Sequence, residues 1–105
     1  MQVKWSNKSN NDILEFISYA KVNSLNTYSS YMHNLVGTVY DLQNSPRMGR
    51  FLFYAYKNSK KLEIRQLIYK KHRIIYYISD NIYIVTILHE KMDFNSFAKN
   101  INKYL

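Results

Sequence analysis

The chain has 105 residues, and its 47% of hydrophobic side chains, with only two glycines and one proline, favour one folded domain over residues 1–105 and exclude a disordered chain. The absence of cysteine excludes disulfides, thiolate metal sites and a cysteine nucleophile. The formal net charge is +8, and residues 46–105 carry all of it with 12 basic and 4 acidic side chains, which indicates a polyanion or an acidic protein as partner.

The amino-terminal segment predicts a strand followed by a helix. Residues 3–5 form a short apolar stretch, and Ser6 stands where an N-cap residue would satisfy the first free amides of a helix. The segment lacks the charged and then apolar layout of a signal peptide, and no apolar run in the chain approaches the roughly 18 residues needed to cross a membrane. We therefore expect a cytoplasmic protein without a membrane segment.

Two amphipathic helices are predicted next. Apolar residues recur at helical spacing over two consecutive segments. The first set is Ile13, Phe16, Ile17 and Ala20, and the second is Leu25, Tyr28, Met32, Leu35, Val36, Val39 and Leu42. We expect the two helices to be joined near Asn23 and Ser24, which makes a helical hairpin.

Residues 44–50 contain the proline and a glycine, and they mark a change from helix to sheet. The β-rich runs that follow predict four strands in a meander, separated by polar turns, at residues 51–56, 62–69, 73–79 and 82–88. The last of these runs is apolar on both faces, as a central strand would be. Apolar residues then return to helical spacing from Phe94 to Leu105, with Asp93 as the N-cap of a C-terminal helix.

The predicted fold class is therefore α+β. An N-terminal strand and a helical hairpin pack on a twisted, mostly antiparallel sheet, and a C-terminal helix follows. The helices are expected on one face of this sheet.

Several parts of the sequence, in the order in which they occur, resemble the RelE/ParE family of toxins. The similar segments are VKWS at residues 3–6, Asp12, PRMGR at 46–50, IRQL at 64–67, RIIYY at 73–77 and IVTILHEKMD at 84–93. The last three segments are similar to the closing strands of that family. The resemblance covers most of the chain, and the helix predicted after Asp93 makes the chain more similar to the ParE branch.

The resemblance implies that the chain is the toxin of a type II toxin-antitoxin system. ParE-like members poison DNA gyrase, RelE-like members cleave messenger RNA on the ribosome, and both are neutralised by an antitoxin that binds across the sheet and the hairpin. We interpret the chain as a ParE-like gyrase inhibitor with a cognate acidic antitoxin. The alternative is a RelE-like, ribosome-dependent endonuclease that acts on messenger RNA. A basic nucleic-acid-binding domain is a third hypothesis, which the charge alone would explain.

The resemblance also implies which residues would act in a ribonuclease. Arg65 stands where nuclease members contact the scissile phosphate, a role that suits a planar bidentate donor, and its alternative is a structural ion pair with Glu63 or Asp12. His89 stands near the position of the general acid or base that serves attack by the ribose 2′-hydroxyl. Its alternative is a structural role, because residues 87–93 resemble the ParE ending.

Binding to a target requires exposed basic and aromatic side chains rather than a pair that transfers protons. Arg47 and Arg50 flank Gly49 in a loop motif that the family shares. The residues predicted to bind the target are Arg47, Arg50, Arg65, Arg73 and Lys91. The chain has no glycine-rich phosphate loop and no metal-ligand spacing, so we expect neither a cofactor nor a metal ion.

Overall fold

The computed structural model describes residues 1–22 and 26–105. The strands are β1 (Val3–Trp5), β2 (Arg50–Lys57), β3 (Lys60–Tyr69), β4 (His72–Ile78) and β5 (Ile82–His89). The helices are α1 (Asn7–Val22), α2 (Asn26–Tyr40) and α3 (Phe94–Lys99), with short 3-10 helices at Asp41–Gln43 and Ile101–Tyr104. The predicted order of one strand, two helices, four strands and a helix is confirmed, and with it the α+β fold class.

The five strands form one mixed sheet in the order β1-β5-β4-β3-β2. Strands β2 to β5 follow one another as an antiparallel meander, and β1 pairs with β5 in parallel. Asn58 and Ser59 connect β2 to β3 and have positive φ angles of 52° and 64°, which is the backbone of a tight hairpin turn whose twist matches that of the strands. Because β2 stands last in this strand order, it is an edge strand of the sheet.

Both predicted N-caps are confirmed. The Ser6 hydroxyl accepts a hydrogen bond from the amide of Ser9 at 3.0 Å, and the Asp93 carboxylate accepts one from the amide of Ser96 at 3.1 Å. Each cap satisfies an amide that the first turn of its helix leaves without an intrahelical partner. These local contacts determine where α1 and α3 begin.

The sheet buries apolar side chains on both of its faces. Helices α1 and α2 cover one face, here called the hairpin face, where Ile74 and Tyr76 are buried. Helix α3 covers the opposite face, here called the α3 face, where Phe97 packs with Ile75. The expectation that the helices share one face therefore does not hold for α3. The reason is that the inner strands are apolar on both faces, so the second face also needs a cover.

Helix α1 is joined to β5 through the carboxylate of Asp12. Its Oδ2 accepts hydrogen bonds from the Thr86 hydroxyl at 2.6 Å and from the Ile87 amide at 3.0 Å, while Lys8 contacts Oδ1 at 3.1 Å. Thr86 is fully buried, and a buried hydroxyl without a partner would be costly. Asp12 therefore orients α1 on the sheet.

Parts of the predicted hairpin lie outside the described residues, namely the connection near Asn23 and Ser24 and the side chains of Ala20, Leu25 and Tyr28. The other predicted apolar residues that pack on the hairpin face are Ile13, Phe16, Ile17, Met32, Leu35, Val39 and Leu42. Within the described ranges, no helix combines the length and the apolar character that crossing a membrane requires.

Candidate functional site

Arg65, in the middle of β3, is held in a network that joins the strand to the preceding loop. Its guanidinium lies 2.5 Å from Oε1 of Glu63, and its Nε donates to the same oxygen at 2.7 Å. Its Nη1 donates to the carbonyl oxygen of Gly49 at 2.6 Å and to that of Arg47 at 3.4 Å. Only 14% of the Arg65 side chain is exposed. The predicted ion pair is thus made with Glu63 and not with Asp12.

Glu63 also contacts Arg47, whose Nη2 lies 3.3 Å from Oε2. Burial by itself would raise the pKa of the Glu63 carboxyl, but hydrogen bonds and positive charge from Arg65 and Arg47 outweigh burial and hold the pKa below its ordinary value. The carboxylate is therefore ionised near neutral pH. It offsets part of the positive charge that the two arginines would otherwise present to an anion.

The loop before β2 is closed over the phenol of Tyr76, which is fully buried in β4. The Tyr76 hydroxyl donates to the carbonyl oxygen of Pro46 at 2.7 Å and accepts from the amide of Gly49 at 3.0 Å. Burial raises the pKa of Tyr76, so the hydroxyl keeps the proton that it donates. This contact was not predicted from the sequence, where its signal is a tyrosine within an isoleucine-rich strand.

His89, the second candidate catalytic residue, ends β5 and lies beside His72. The two rings meet edge to face with their centres 5.1 Å apart. Nδ1 of His89 accepts a hydrogen bond from the amide of Lys91 at 3.1 Å. This contact ties the histidine to the turn that follows the strand.

His72 is buried, with 2% of its surface exposed. Its Nδ1 lies 2.9 Å from the hydroxyl of Tyr31, and its Nε2 has no hydrogen-bond partner among the described residues. Burial is the main cause that lowers the pKa of His72 to about 4, and His89 lowers it further while Glu90 opposes the shift. The imidazole is therefore neutral at physiological pH and belongs to the core.

Arg65 lies in the middle of β3, whereas His89 lies at the end of β5, two strands away. Arg65 is opposite Tyr76 on β4, whereas His89 is opposite His72, four residues away. With a rise of about 3.3 Å per residue and about 4.8 Å between strands, their Cα atoms are roughly 16 Å apart. Because the Arg65 guanidinium is also held by Glu63 and by the carbonyl oxygen of Gly49, the two side chains do not meet at one phosphate in this arrangement. Within residues 1–22 and 26–105, no three histidine or acidic side chains are grouped so that they could hold a metal ion.

The strand register places two of the predicted target-binding residues, Arg50 and Arg73, on the α3 face. Arg73 is opposite Leu88, which lies in the core under α3. Arg50 is opposite Gln66, which is in turn opposite the core residue Ile75. Because directly paired residues point to the same side of a sheet, both arginines share this face.

The predicted target-binding residues therefore form two groups rather than one surface. The guanidinium of Arg73 lies 5.1 Å from the ring centre of Phe94 at the start of α3, and Lys91 is exposed in the turn before that helix. Arg47 and Arg65 lie on the hairpin face and are engaged with Glu63. Glu63 therefore pairs with two of the five predicted target-binding residues. The other three are Arg50, Arg73 and Lys91.

An apolar groove lies between α1 and α2, next to Trp5 of β1, with a volume of about 470 Å³. Leu14 is 60% exposed and Tyr40 is 44% exposed, and the indole of Trp5 donates to the Tyr40 hydroxyl at 3.3 Å. We call this feature the hairpin groove. Its lining residues are Trp5, Asn10, Ile13, Leu14, Val36 and Tyr40.

The chain matches one protein family, described as the ParE toxin of type II toxin-antitoxin system, parDE, over residues 3–94. A comparison with curated proteins found no match. The matched span includes all five strands and both helices of the hairpin, and it ends at the first residue of α3. Because the match covers most of the 105 residues, the chain belongs to the ParE toxin family of type II toxin-antitoxin systems.

Proposed function

We propose that this toxin inhibits DNA gyrase by binding it, and that a cognate antitoxin neutralises the inhibition. In this proposal residues 1–105 form one toxin domain that acts in the cytoplasm, where gyrase and its DNA are. The observation that carries the proposal is the separation of Arg65 from His89, together with the engagement of Arg65 by Glu63 and by the carbonyl oxygen of Gly49.

The alternative function, cleavage of messenger RNA, requires catalytic groups that this site does not bring together. Cleavage by the ribose 2′-hydroxyl requires a base, an acid for the leaving group and a cation arranged around one phosphate. Arg65 has most of its donors already committed, and His89 lies two strands away, at the end of β5. Inhibition by binding requires only an accessible surface of suitable charge and shape, which makes the gyrase target the better supported one.

We place the contact with gyrase on the α3 face, at Arg50, Arg73 and Lys91. These cations are not neutralised by Glu63, and Arg73 lies against the ring of Phe94, which adds an aromatic side chain to the surface. Interface contacts commonly centre on arginine and aromatic residues of this kind.

The test compares the wild type with the variants His89→Ala and Arg50→Ala/Arg73→Ala, in gyrase supercoiling and in cleavage of ribosome-bound message. We expect wild-type toxin and His89→Ala to inhibit supercoiling within about twofold of each other. The double arginine variant is expected to need at least about tenfold more protein, since truncating one partner of a charge pair that is buried in an interface typically costs about 2 kcal/mol or more. The variant Lys99→Ala/Lys103→Ala, which removes the same charge from the C-terminal helices, is the matched control and should behave as wild type.

One outcome would replace the gyrase proposal with the ribonuclease alternative. It is that wild-type toxin cuts message on the ribosome and leaves gyrase unaffected, while His89→Ala abolishes the cutting. If the arginine substitutions leave the inhibition of gyrase unchanged, gyrase remains the proposed target, but the α3 face is not the surface that binds it.

The antitoxin is proposed to dock an apolar segment in the hairpin groove while its acidic residues approach the basic half of the chain. The positive charge of residues 46–105 favours rapid encounter with an acidic chain. The exposed Leu14 and Tyr40 offer apolar surface that such a segment would bury.

The measurement is the affinity for the protein encoded beside the toxin gene, together with rescue of growth on co-expression. Leu14→Lys should weaken the complex by at least about tenfold, because binding would bury an unpaired charge, whereas lysine is well tolerated in an exposed helix. Met48→Lys adds the same charge at another exposed apolar residue and should bind within about twofold of wild type. If Leu14→Lys binds as tightly as wild type, the groove is not the docking site.

A further inference from the structure

Three large aromatic side chains lie on one open face of the edge strand β2. Phe51 is 40% exposed, Tyr54 is 52% exposed and Tyr56 is 60% exposed. They are opposite Arg65, Glu63 and Lys61 respectively, which alternate along β3 and so point to the same side of the sheet. We call the surface formed by Phe51, Tyr54, Tyr56 and Lys61 the β2 platform.

The rings of Phe51 and Tyr54 in the β2 platform are inclined at 57° to each other, and Lys61 lies over the ring of Tyr54. The ring centres of Phe51 and Tyr54 are 4.9 Å apart, and Nζ of Lys61 lies 3.8 Å from the ring centre of Tyr54. Tyr54 and Tyr56 are two residues apart on one strand, which spaces them by roughly 6.6 Å. Exposed aromatic side chains that are grouped in this way mark a binding surface more often than a solvated one.

The charge around the β2 platform is strongly positive. Residues 47–69 contain six basic side chains, and their single acidic one is Glu63. Glu63 is paired with both Arg47 and Arg65, so it offers little repulsion to an anion. The strand begins with Arg50 and ends with Lys57, but the register pairs them with Gln66 and Lys60, on the α3 face, so Lys61 is the cation that lies within the platform itself.

We propose that the β2 platform binds single-stranded nucleic acid, with bases stacked on Phe51, Tyr54 and Tyr56 and phosphates close to Lys61 and the neighbouring cations. Aromatic rings beside a positively charged track are the chemistry that binds unpaired strands without regard to sequence. A double helix keeps its bases stacked inside and offers only its phosphates to such a surface. This activity goes beyond inhibition of gyrase and does not depend on it, because it rests on the residues of β2 and β3 alone.

The experiment measures fluorescence anisotropy of labelled oligodeoxythymidylate and oligouridylate of about 20 nucleotides, and of a DNA duplex of equal length, titrated with the full chain. Wild type should bind the single strands at least about tenfold more tightly than the duplex, and added salt should weaken the binding. A preference for the DNA or the RNA strand would identify the source of the ligand, and either preference supports the proposal.

The decisive variants are Tyr54→Ala/Tyr56→Ala and Tyr54→Phe/Tyr56→Phe. The alanine pair should weaken single-strand binding by about tenfold or more, and the phenylalanine pair should stay within about threefold of wild type because the rings are kept. Both tyrosines are exposed, so thermal unfolding should be nearly unchanged and will verify that the variants fold. Tyr104→Ala is the matched control, since Tyr104 is also exposed and has Lys8 over its ring at 5.5 Å.

Two results would overturn the proposal. The first is an alanine pair that binds single strands as tightly as wild type, which would leave attraction by net charge as the whole effect. The second is an alanine pair that retains single-strand binding but loses affinity for gyrase or for the antitoxin, which would make the platform a protein-binding surface.

Discussion

Replacement of Gly49 by alanine is expected to destabilise the protein by about 3 kcal/mol or more. A Cβ atom at this position would lie 2.6 Å from the carbonyl oxygen of Gln66 and 2.6 Å from the hydroxyl of Tyr76. Neither neighbour can easily move away, because one is strand backbone and the other is a buried phenol. Gly49 itself is held by hydrogen bonds from Arg65 and to Tyr76. Overpacking of such a site costs up to several kcal/mol.

The measurement for Gly49→Ala is denaturant and thermal unfolding, where we expect the melting temperature to fall by more than about 10 °C. Gly37→Ala is the matched control. Apart from its chain neighbours and the backbone of its own helix α2, no atom of the described residues lies within 4 Å of a Cβ at Gly37, and alanine is the better helix former by about 1 kcal/mol. The control should therefore be as stable as wild type or more stable. Equal stability of Gly49→Ala and wild type would show that the loop does not pack on Tyr76 as described.

Acidification from pH 6.5 to about pH 4 is expected to remove on the order of 2 kcal/mol of stability through His72. Burial lowers the pKa of this residue from 6.5 to about 4 in the folded protein, with a further contribution from His89 and an opposing one from Glu90. Between these two pH values the unfolded chain binds a proton that the folded chain does not bind, so unfolding is favoured as the pH falls. The loss of stability is complete once the pH is below the pKa that His72 has in the folded protein.

The pH prediction is checked by urea unfolding at several pH values between 4 and 7.5. His72→Phe keeps a ring in the same place but has no proton to bind, so its stability should vary less with pH in this window. His33→Gln removes an exposed histidine and should retain the wild-type slope. Carboxyl groups whose pKa is lowered in the folded protein, such as that of Glu63, lose their contribution to stability only when the pH falls below the ordinary pKa of 4.5. An identical slope in His72→Phe and wild type would contradict the prediction.

The prediction from sequence was most accurate where the determining chemistry is local. Ser6 and Asp93 were predicted as N-caps from their positions before apolar helical patterns, and both accept the expected amide hydrogen bond. The strand boundaries agree to within about two residues, although the turn between β2 and β3 is shorter than expected because Asn58 and Ser59 adopt positive φ. The sequence Asn-Ser only weakly predicts two successive residues with positive φ, which explains the error.

Long-range geometry explains why the candidate site could be predicted only in part. Arg65 was expected to be either a phosphate ligand or half of an ion pair, and it pairs with Glu63 because the two residues are two positions apart on β3 and point to the same side of the sheet. Asp12 is instead used by Thr86 and Ile87, which are more than 70 residues away in the chain. No pattern of spacing reveals such a partner.

The amino-acid sequence by itself determined the order of the elements, their caps and the concentration of positive charge after residue 45, because helical periodicity, capping and composition act over a few residues. Only the tertiary structure decided that α3 covers the face opposite α1 and α2 and that Arg65 and His89 are two strands apart. Strand register and sheet order bring together residues that are far apart in the chain, and they depend on how all five strands pack at once. The same register aligned Phe51, Tyr54 and Tyr56 with Lys61 on one open face.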